Sequence, residues 1–313
     1  MATYRHIPVR NLSEAELTKL SQDMKLSLST EDMLVVQQIF NEIDREPTDV
    51  ELEVIAQTWS EHCKHRIFAA TIQHTVNGET EEIKSMYKTF IQRPSKEIMA
   101  QKPGFVLSCF VDNAGFIKLD DKLSVCLKAE THNHPSAIEP YAGANTGLGG
   151  VIRDILGAGK GAKPIANLDV FCFGAPDTPQ SMVEGHNIIH PLGIMRGVVH
   201  GVRDYGNRMG IPTTSRKSSR LPARAGTSQD SGSTITSADI AKEMKPGLAV
   251  VVIGGRTGKD GLHGATFSSA AMGEESATED QQAVQIGNPI EEKKTLDVIL
   301  EARERGLIEF VTD

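Results

Sequence analysis

From residue 11 to residue 66 apolar positions recur every three or four residues, the period of helices that bury one face. Asn11-Leu-Ser13-Glu-Ala-Glu16 opens the first segment, with Asn11 or Ser13 placed to cap and acids near the positive helix end. The stretch from Ser29 to Phe40 repeats that signature: a hydroxyl, two acids, then apolar residues at helical spacing. Pro47-Thr-Asp-Val-Glu-Leu52 opens a third, whose Val50, Val54, Ile55 and Trp59 are expected on one stripe. The spacing therefore predicts a helical module over 1–66, ending in the polar cluster Trp59-Ser-Glu-His-Cys-Lys-His-Arg66.

Beyond Arg66 the period falls to two. Phe105 to Val111 is a compact apolar run between turn residues and predicts a buried strand. Leu123 to Glu130 alternates, with Leu123, Val125, Leu127 and Ala129 on one face and Cys126, Lys128 and Glu130 on the other. Gly143 to Gly150 predicts a glycine-rich turn, followed by a helix through Val151, Ile152, Ile155 and Leu156. Ile165 to Phe173 predicts a strand and Leu192 to Met209 a helix. Thr213 to Ser237 is so rich in Ser, Thr and Arg that loop or disorder is expected. Pro246 to Gly255 predicts a buried strand, followed by a glycine-rich loop and a helix over Lys293 to Arg305. Gly306 to Asp313 opens a strand and stops, which leads us to expect a truncated chain. The expected divisions are 1–66, 67–212, an atypical segment at 213–240, and a begun lobe at 241–313.

The formal charge of −8 disfavours a general binder of nucleic acid or anionic membrane, because phosphate surfaces reward basic proteins. Aromatics at 5% are too sparse for base-stacking platforms, while 39% apolar content suffices for a core. No apolar run is long enough to cross a bilayer, and the start lacks the apolar stretch of a signal peptide. The four cysteines are scattered without a Cys-x-x-Cys pair, so a reducing, cytoplasmic setting is expected.

The densest polar stretch is Lys128-Ala-Glu130-Thr-His132-Asn-His134. Lys128 and Glu130 share a strand face roughly 7 Å apart. If the strand persists, His132 joins them. One face then offers a cation for phosphate, a hard oxygen for magnesium and an imidazole that titrates near neutrality. The plainer alternative is a polar strand end holding a structural ion pair. Arg153 and Asp154 are expected to open a helix after the glycine-rich turn, where a phosphate and a second magnesium oxygen would be served. Neither Gly157-Ala-Gly-Lys160 nor the loop from Gly254 satisfies Gly-x4-Gly-Lys-Ser/Thr, so Walker-type binding is rejected. His62 and His65, three apart, are expected to share a helix face, without partners suited to zinc.

Trp59-Ser-Glu-His-Cys63, Glu130-Thr-His-Asn-His-Pro-Ser-Ala-Ile-Glu-Pro-Tyr141, Gly147-x-Gly-Gly-x-Ile-Arg-Asp154, Tyr205-Gly-Asn207, Gly255-Arg-Thr-Gly-x-Asp-Gly-x-His-Gly-Ala-Thr266 and Val284-Gln-Ile-Gly-Asn-Pro289 occur in one order. This set resembles the phosphoribosylformylglycinamidine synthase family, ligases of purine synthesis. The resemblance implies an α+β fold: a helical linker, then the first half of a tandem related to aminoimidazole ribonucleotide synthetase, with the second lobe only begun. It implies that formylglycinamide ribonucleotide, ATP and glutamine-derived ammonia are converted through an iminophosphate, with Mg2+ required. A glutaminase and a second synthetase half are the implied partners. By motif, His132 resembles the catalytic base and His62 a second active-site histidine. Lys128 and His65 resemble nucleotide contacts. Thr131, His132, Asn133, His134, Arg153 and Gln285 resemble the substrate-binding set, and Glu130, Asp154 and Asp313 the metal carboxylates. The family pattern is expected to break over Thr214 to Ser237, as a shifted and later recovered reading frame would produce. The rival expectations are a related synthetase such as aminoimidazole ribonucleotide synthetase, and a non-catalytic nucleotide-binding scaffold.

Overall fold

The computed structural model describes residues 4–220, 227–237, 240, 242, 244–258, 260–268 and 283–313, with 214–220 and 227–237 described as backbone. Two compact units divide the chain. Met1–Glu97 with His263–Met272 forms one, and Ile98–Leu262 with Gly273–Asp313 the other. The expected boundary at 66 therefore falls inside the first unit, and most of the begun lobe expected at 241–313 falls inside the second.

In the first unit α1 (Glu14–Asp23), α2 (Thr30–Glu42) and α3 (Asp49–Trp59) each begin with a reciprocal capping box, built by Ser13 with Glu16, Ser29 with Asp32, and Thr48 with Glu51. Their common core is Val9, Leu17, Leu26, Met33, Val36, Phe40, Leu52 and Ala56. The expected α3 stripe was misplaced. Val50 and Val54 are exposed, and Leu52 and Ala56 are buried, with Ile55 and Trp59 beside them. Two short helices follow, α4 (Glu61–Lys64) and α5 (Arg66–Ala69), separated by His65 in the left-handed region at φ 52. The helix breaks there, so His62 and His65 do not share the helical face expected of them. An exposed antiparallel hairpin, β1 (Thr71–Val76) and β2 (Glu79–Lys84), turns at Asn77-Gly78, both at positive φ. A π-helical turn (Tyr87–Gln92) leads into α6 (Arg93–Gln101).

The second unit is built on a sheet that, among the described residues, runs β3-β4-β5-β8-β6-β7. Its strands are β3 (Val106–Ser108), β4 (Gly115–Lys118), β5 (Leu123–Thr131), β6 (Pro164–Phe173), β7 (Thr213–Arg220) and β8 (Thr227–Ser237). All neighbours are antiparallel except β6 and β7. β3 is a short edge strand with Phe105, Leu107, Phe110 and Val111 exposed, a correction to the buried strand expected there. The loop expected over 213–237 is corrected at 213–220 and 227–237, where β7 pairs with β6 and β8 with β5 and β6, so backbone hydrogen bonds order stretches poor in apolar residues; its part over 221–226 lies outside the described residues.

Helices α7 (His134–Ile138), α8 (Pro140–Leu156), α9 (Pro191–Met209) and, past a short helix α10 (Gly264–Ser268) of the first unit, α11 (Pro289–Glu304) complete the architecture. Leu148, Ile152 and Leu156 of α8, Val198, Val202 and Tyr205 of α9, Leu296 and Ile299 of α11, and Phe171 and Phe173 of β6 form the main core. The glycine-rich turn expected over 143–150 lies inside α8 instead. A Cβ at Gly143 would lie 2.5 Å from the Pro135 carbonyl carbon, and one at Gly149 would lie 2.6 Å from the Tyr205 hydroxyl, so these glycines let elements approach. Two expected strands are absent. Residues 248–253 form no regular element and are exposed, with Val250 and Val252 more than nine-tenths open and no described strand paired with them. Residues 306–313 form a coil whose Ile308 and Val311 pack on the core, with the Val311 N–H donating to the Gly159 carbonyl.

Candidate functional site

The buried face of β5 carries Ser124 and Cys126, and the same alternation continues into Lys128 and Glu130 at its polar end. Leu127, on the opposite face, is exposed, and the two faces part as the alternation predicts. Arg153 and Asp154 occupy the last turn of α8. They were expected to open a helix and so to sit in its anion-attracting field; at a C-terminal end that field has the opposite sign. What gathers them with β5 is close packing. A Cβ at Gly150 would lie 3.2 and 3.3 Å from the two Glu130 carboxylate oxygens, so the bare helix backbone lets that carboxylate lie against α8.

Around this junction the Lys128 ammonium donates to Asp154 Oδ2 and lies 3.8 Å from Glu130 Oε2. Asn113, in the turn before β4, donates through Nδ2 to Asp154 Oδ1 at 2.8 Å, and its Oδ1 accepts from the Thr312 hydroxyl at 3.3 Å. Arg153 Nε is 3.4 Å from Asp313 Oδ1, and its Nη1 is 3.4 Å from Glu292 Oε2. Glu292 accepts at the same oxygen from the Tyr205 hydroxyl at 2.5 Å.

Charge is the dominant feature of the cluster. Burial first, then the neighbouring Asp154 and Asp313 carboxylates, raise the Glu130 pKa against the pull of Lys128 and Arg153. Asp313 is raised by burial and by Asp154, again against Arg153 and Lys128. Burial pushes Glu292 up to about 7, although the Tyr205 hydrogen bond and Arg153 oppose it, and Tyr205 is raised by burial and by Glu292. His132 is pushed down to about 4, chiefly by burial, with the positive charge of Arg153 adding to the effect. Its imidazole is therefore neutral near pH 7.

Among the described residues no three carboxylate, imidazole or thiolate groups converge tightly enough to cage a cation alone. Magnesium carried with a nucleotide asks for less, since one or two carboxylates plus phosphate oxygens and waters complete its shell. Glu130, Asp154 and Asp313 supply hard oxygens that repel one another, and Lys128 already places a cation between two of them. The donor set fits such an ion.

Lys128, Glu130, Arg153, Asp154 and Asp313 are thus brought together. Thr131 ends β5, and Asn133 and His134 begin α7, where Ser136 donates to the His132 carbonyl at 2.6 Å. Gln285 is tied to α8 through its backbone carbonyl, which accepts from the Thr146 hydroxyl at 2.8 Å. His62 and His65 are exposed residues of the first unit, with His62 Nδ1 at 3.6 Å from Cys63 Sγ. Asn113, Tyr205 and Glu292 carry no role in the sequence reading. Asn113 was visible only as a turn residue, and Glu292 only as one acid among several at a helix start.

Three family models match in order: the formylglycinamide ribonucleotide amidotransferase linker domain at 17–66, the N-terminal domain of AIR synthase related proteins at 111–238, and their C-terminal domain at 245–313. The second match extends through the segment where a departure from the family was expected. Phosphoribosylformylglycinamidine synthase subunit PurL of Thermoplasma acidophilum is 35% identical over 99% of this chain and 38% of its own length. The structure of Thermotoga maritima PurL complexed with FGAR superimposes with a TM-score of 0.62 at 32% identity, over 87% of this chain and 37% of that one. The same protein complexed with ATP gives 0.58 at 30% identity, over 88% and 36%. The chain thus spans under two fifths of the relatives it matches.

Proposed function

Because the chain belongs to the phosphoribosylformylglycinamidine synthase family, with its linker and AIR synthase related domains in order, we propose that it binds ATP and formylglycinamide ribonucleotide and serves their ATP-dependent amidation. The carrying observation is the meeting of Lys128 and Glu130 from β5 with Asp154 from α8. In this reading the substrate's amide oxygen attacks the γ-phosphate of ATP, breaking its bond to the departing ADP, and ammonia then adds to the resulting iminophosphate and displaces inorganic phosphate. Such chemistry needs placement and neutralised charge more than a covalent apparatus.

Lys128 exchanges its Asp154 partner for a nucleotide phosphate. Arg153 receives the substrate with Thr131, Asn133, His134 and Gln285. Glu130, Asp154 and Asp313 would hold Mg2+, which lowers the repulsion between phosphate oxygens and their attacker. His132 is the proton acceptor for adding ammonia. It is neutral near pH 7, and a phosphate beside it would raise its proton affinity when a base is needed. His62 and His65 enter by motif, as a second active-site histidine and a nucleotide contact. A glutaminase supplying ammonia, a second synthetase half and a cytoplasmic setting complete the proposal; all four cysteines are free thiols, as a reducing compartment would keep them.

Calorimetric titration of the 313-residue chain with Mg-ATP, then with formylglycinamide ribonucleotide, tests this, followed by assay with ammonium chloride. Saturable binding that Lys128→Ala weakens about tenfold or more supports the proposal. Absence of binding to both ligands contradicts it. Since the chain spans 38% of the Thermoplasma relative, a binding half that needs a partner chain is the second reading, and binding without turnover favours it.

A further inference from the structure

Three helices of the second unit meet at one buried carboxylate. Glu292 stands in the first turn of α11, where the helix field favours its anion. Tyr205 of α9, almost fully buried, donates its hydroxyl to Glu292 Oε2. Arg153 of α8 brings Nη1 to the same oxygen at 3.4 Å. Gly149, one turn before Arg153, leaves the room: a Cβ there would lie 2.6 Å from the Tyr205 hydroxyl and 3.1 Å from Glu292 Oε2. Glu292 Oε1 is buried, with no hydrogen-bond partner among the described residues.

A buried carboxylate with one oxygen doubly engaged and the other unmatched is poor economy for a purely structural ion pair, which would use both oxygens on the guanidinium fork. The arrangement instead fixes one edge of Arg153. Nη1 is held by Glu292 and Nε lies near Asp313, while Nη2 lies 3.6 Å from where a Gly150 Cβ would be, on the side of the Glu130 carboxylate. A guanidinium anchored at one edge presents its remaining N–H groups in a set direction, which an unanchored long side chain cannot do.

We propose that Tyr205 and Glu292 are positioning residues that aim the Arg153 guanidinium at its ligand, with Tyr205 acting only through Glu292. The proposal rests on the reading of Arg153 as a substrate contact, and it assigns specificity for the formylglycinamide ribonucleotide rather than for the nucleotide.

Two readouts in the full 313-residue chain test it. The first needs no ligand. The Arg153 Nε–Hε resonance in nitrogen-15 NMR should be sharp and slow to exchange in the wild type. It should broaden in Glu292→Gln and, less strongly, in Tyr205→Phe. The second is affinity by calorimetry. Glu292→Gln should weaken formylglycinamide ribonucleotide about tenfold and Tyr205→Phe about threefold, with Mg-ATP affinity changed less than twofold. The double variant should match Glu292→Gln alone, as expected when one residue works through the other. An unchanged Arg153 resonance in both variants, additive losses, or equal losses for both ligands would each overturn the proposal. If the wild type binds no formylglycinamide ribonucleotide, the functional reading fails, and the ligand-free resonance still decides the positioning claim. Tyr205→Phe, which keeps the ring in the core, carries that test should Glu292→Gln fail to fold.

Discussion

The helices α1 to α3 and the helix α8 solve the same problem by opposite means. Each of the first three starts with a side-chain cap paired to an acid three residues on, and such boxes satisfy the first free N–H groups locally. Helix α8 has no side-chain cap bond and carries four glycines in 17 residues, each costing about 1 kcal/mol against alanine in a helix interior. Its stability comes from what presses on it: α7 at Gly143, Tyr205 at Gly149 and Glu130 at Gly150. The capped helices hold a module together, whereas the glycine-rich helix brings charged side chains within reach of one another. A helix made of tertiary contacts can place a site because its lack of side chains is what lets the partners in.

That contrast can be broken most sharply at Gly143. An alanine there would set its Cβ 2.5 Å from the Pro135 carbonyl carbon and 2.6 Å from Ser136 Cα, both backbone atoms that no rotamer change can move. We expect Gly143→Ala to destabilise the chain by about 3 kcal/mol or more, the reverse of the usual gain for this change in a helix. Urea unfolding midpoints would measure it, and a stabilised variant would show that α8 does not depend on the close approach. Within the capped module, Leu52→Ala should cost about 2–5 kcal/mol as a buried truncation. Val54→Ala, on the exposed side of α3, should stay within about 0.5 kcal/mol.

Acid titration separates the two regions next. Glu292 holds its proton more tightly in the fold, at about 7, than an ordinary carboxyl at 4.5. Its contribution is full below about pH 4.5 and is lost as pH rises through 7. Stability should therefore fall across that window by on the order of 1 kcal/mol per pH unit, and Glu292→Gln should flatten the slope. Unfolding midpoints taken between pH 5 and 8 for both proteins would settle it; identical slopes would remove Glu292 as the cause. The smallest effect is expected at the caps, where Ser29→Ala should cost about 1 kcal/mol. Thermal denaturation resolves such a change, and a loss above about 3 kcal/mol would mean that Ser29 does more than cap α2.

These differences trace what could be seen in the sequence. The caps at Ser13 and Ser29, the start of α3 after Pro47, the strands β5 and β6 and the helix α9 rest on local signals and were legible, apart from their exact ends. The face of α3 was not, since Val50 and Leu52 are equally apolar and only packing decides between them. Glycines 143–150 read as a turn because local propensity says so, and long-range contact overrides it. The strands β7 and β8 carry little apolar signal and are placed by backbone pairing to β5 and β6. Residues 248–253 carry a strong strand signal and find no described partner. At the site, alternation correctly put Lys128 and Glu130 on one face, and the motif put Arg153 beside Asp154. Asn113, Tyr205 and Glu292 join through contacts between residues 41 or more apart in the chain, which no local pattern encodes.

In the proposed function a metal-bound triphosphate sits where β5 meets the end of α8. Manganese, standing in for magnesium, broadens NMR signals near it, so a titration of the chain with Mn-ATP reads the position directly. The backbone amide signals of Lys128 to Thr131 and of Gly150 to Asp154 should vanish at substoichiometric manganese and return in Asp154→Asn. Broadening confined to other parts of the chain, with these amides untouched, would contradict it.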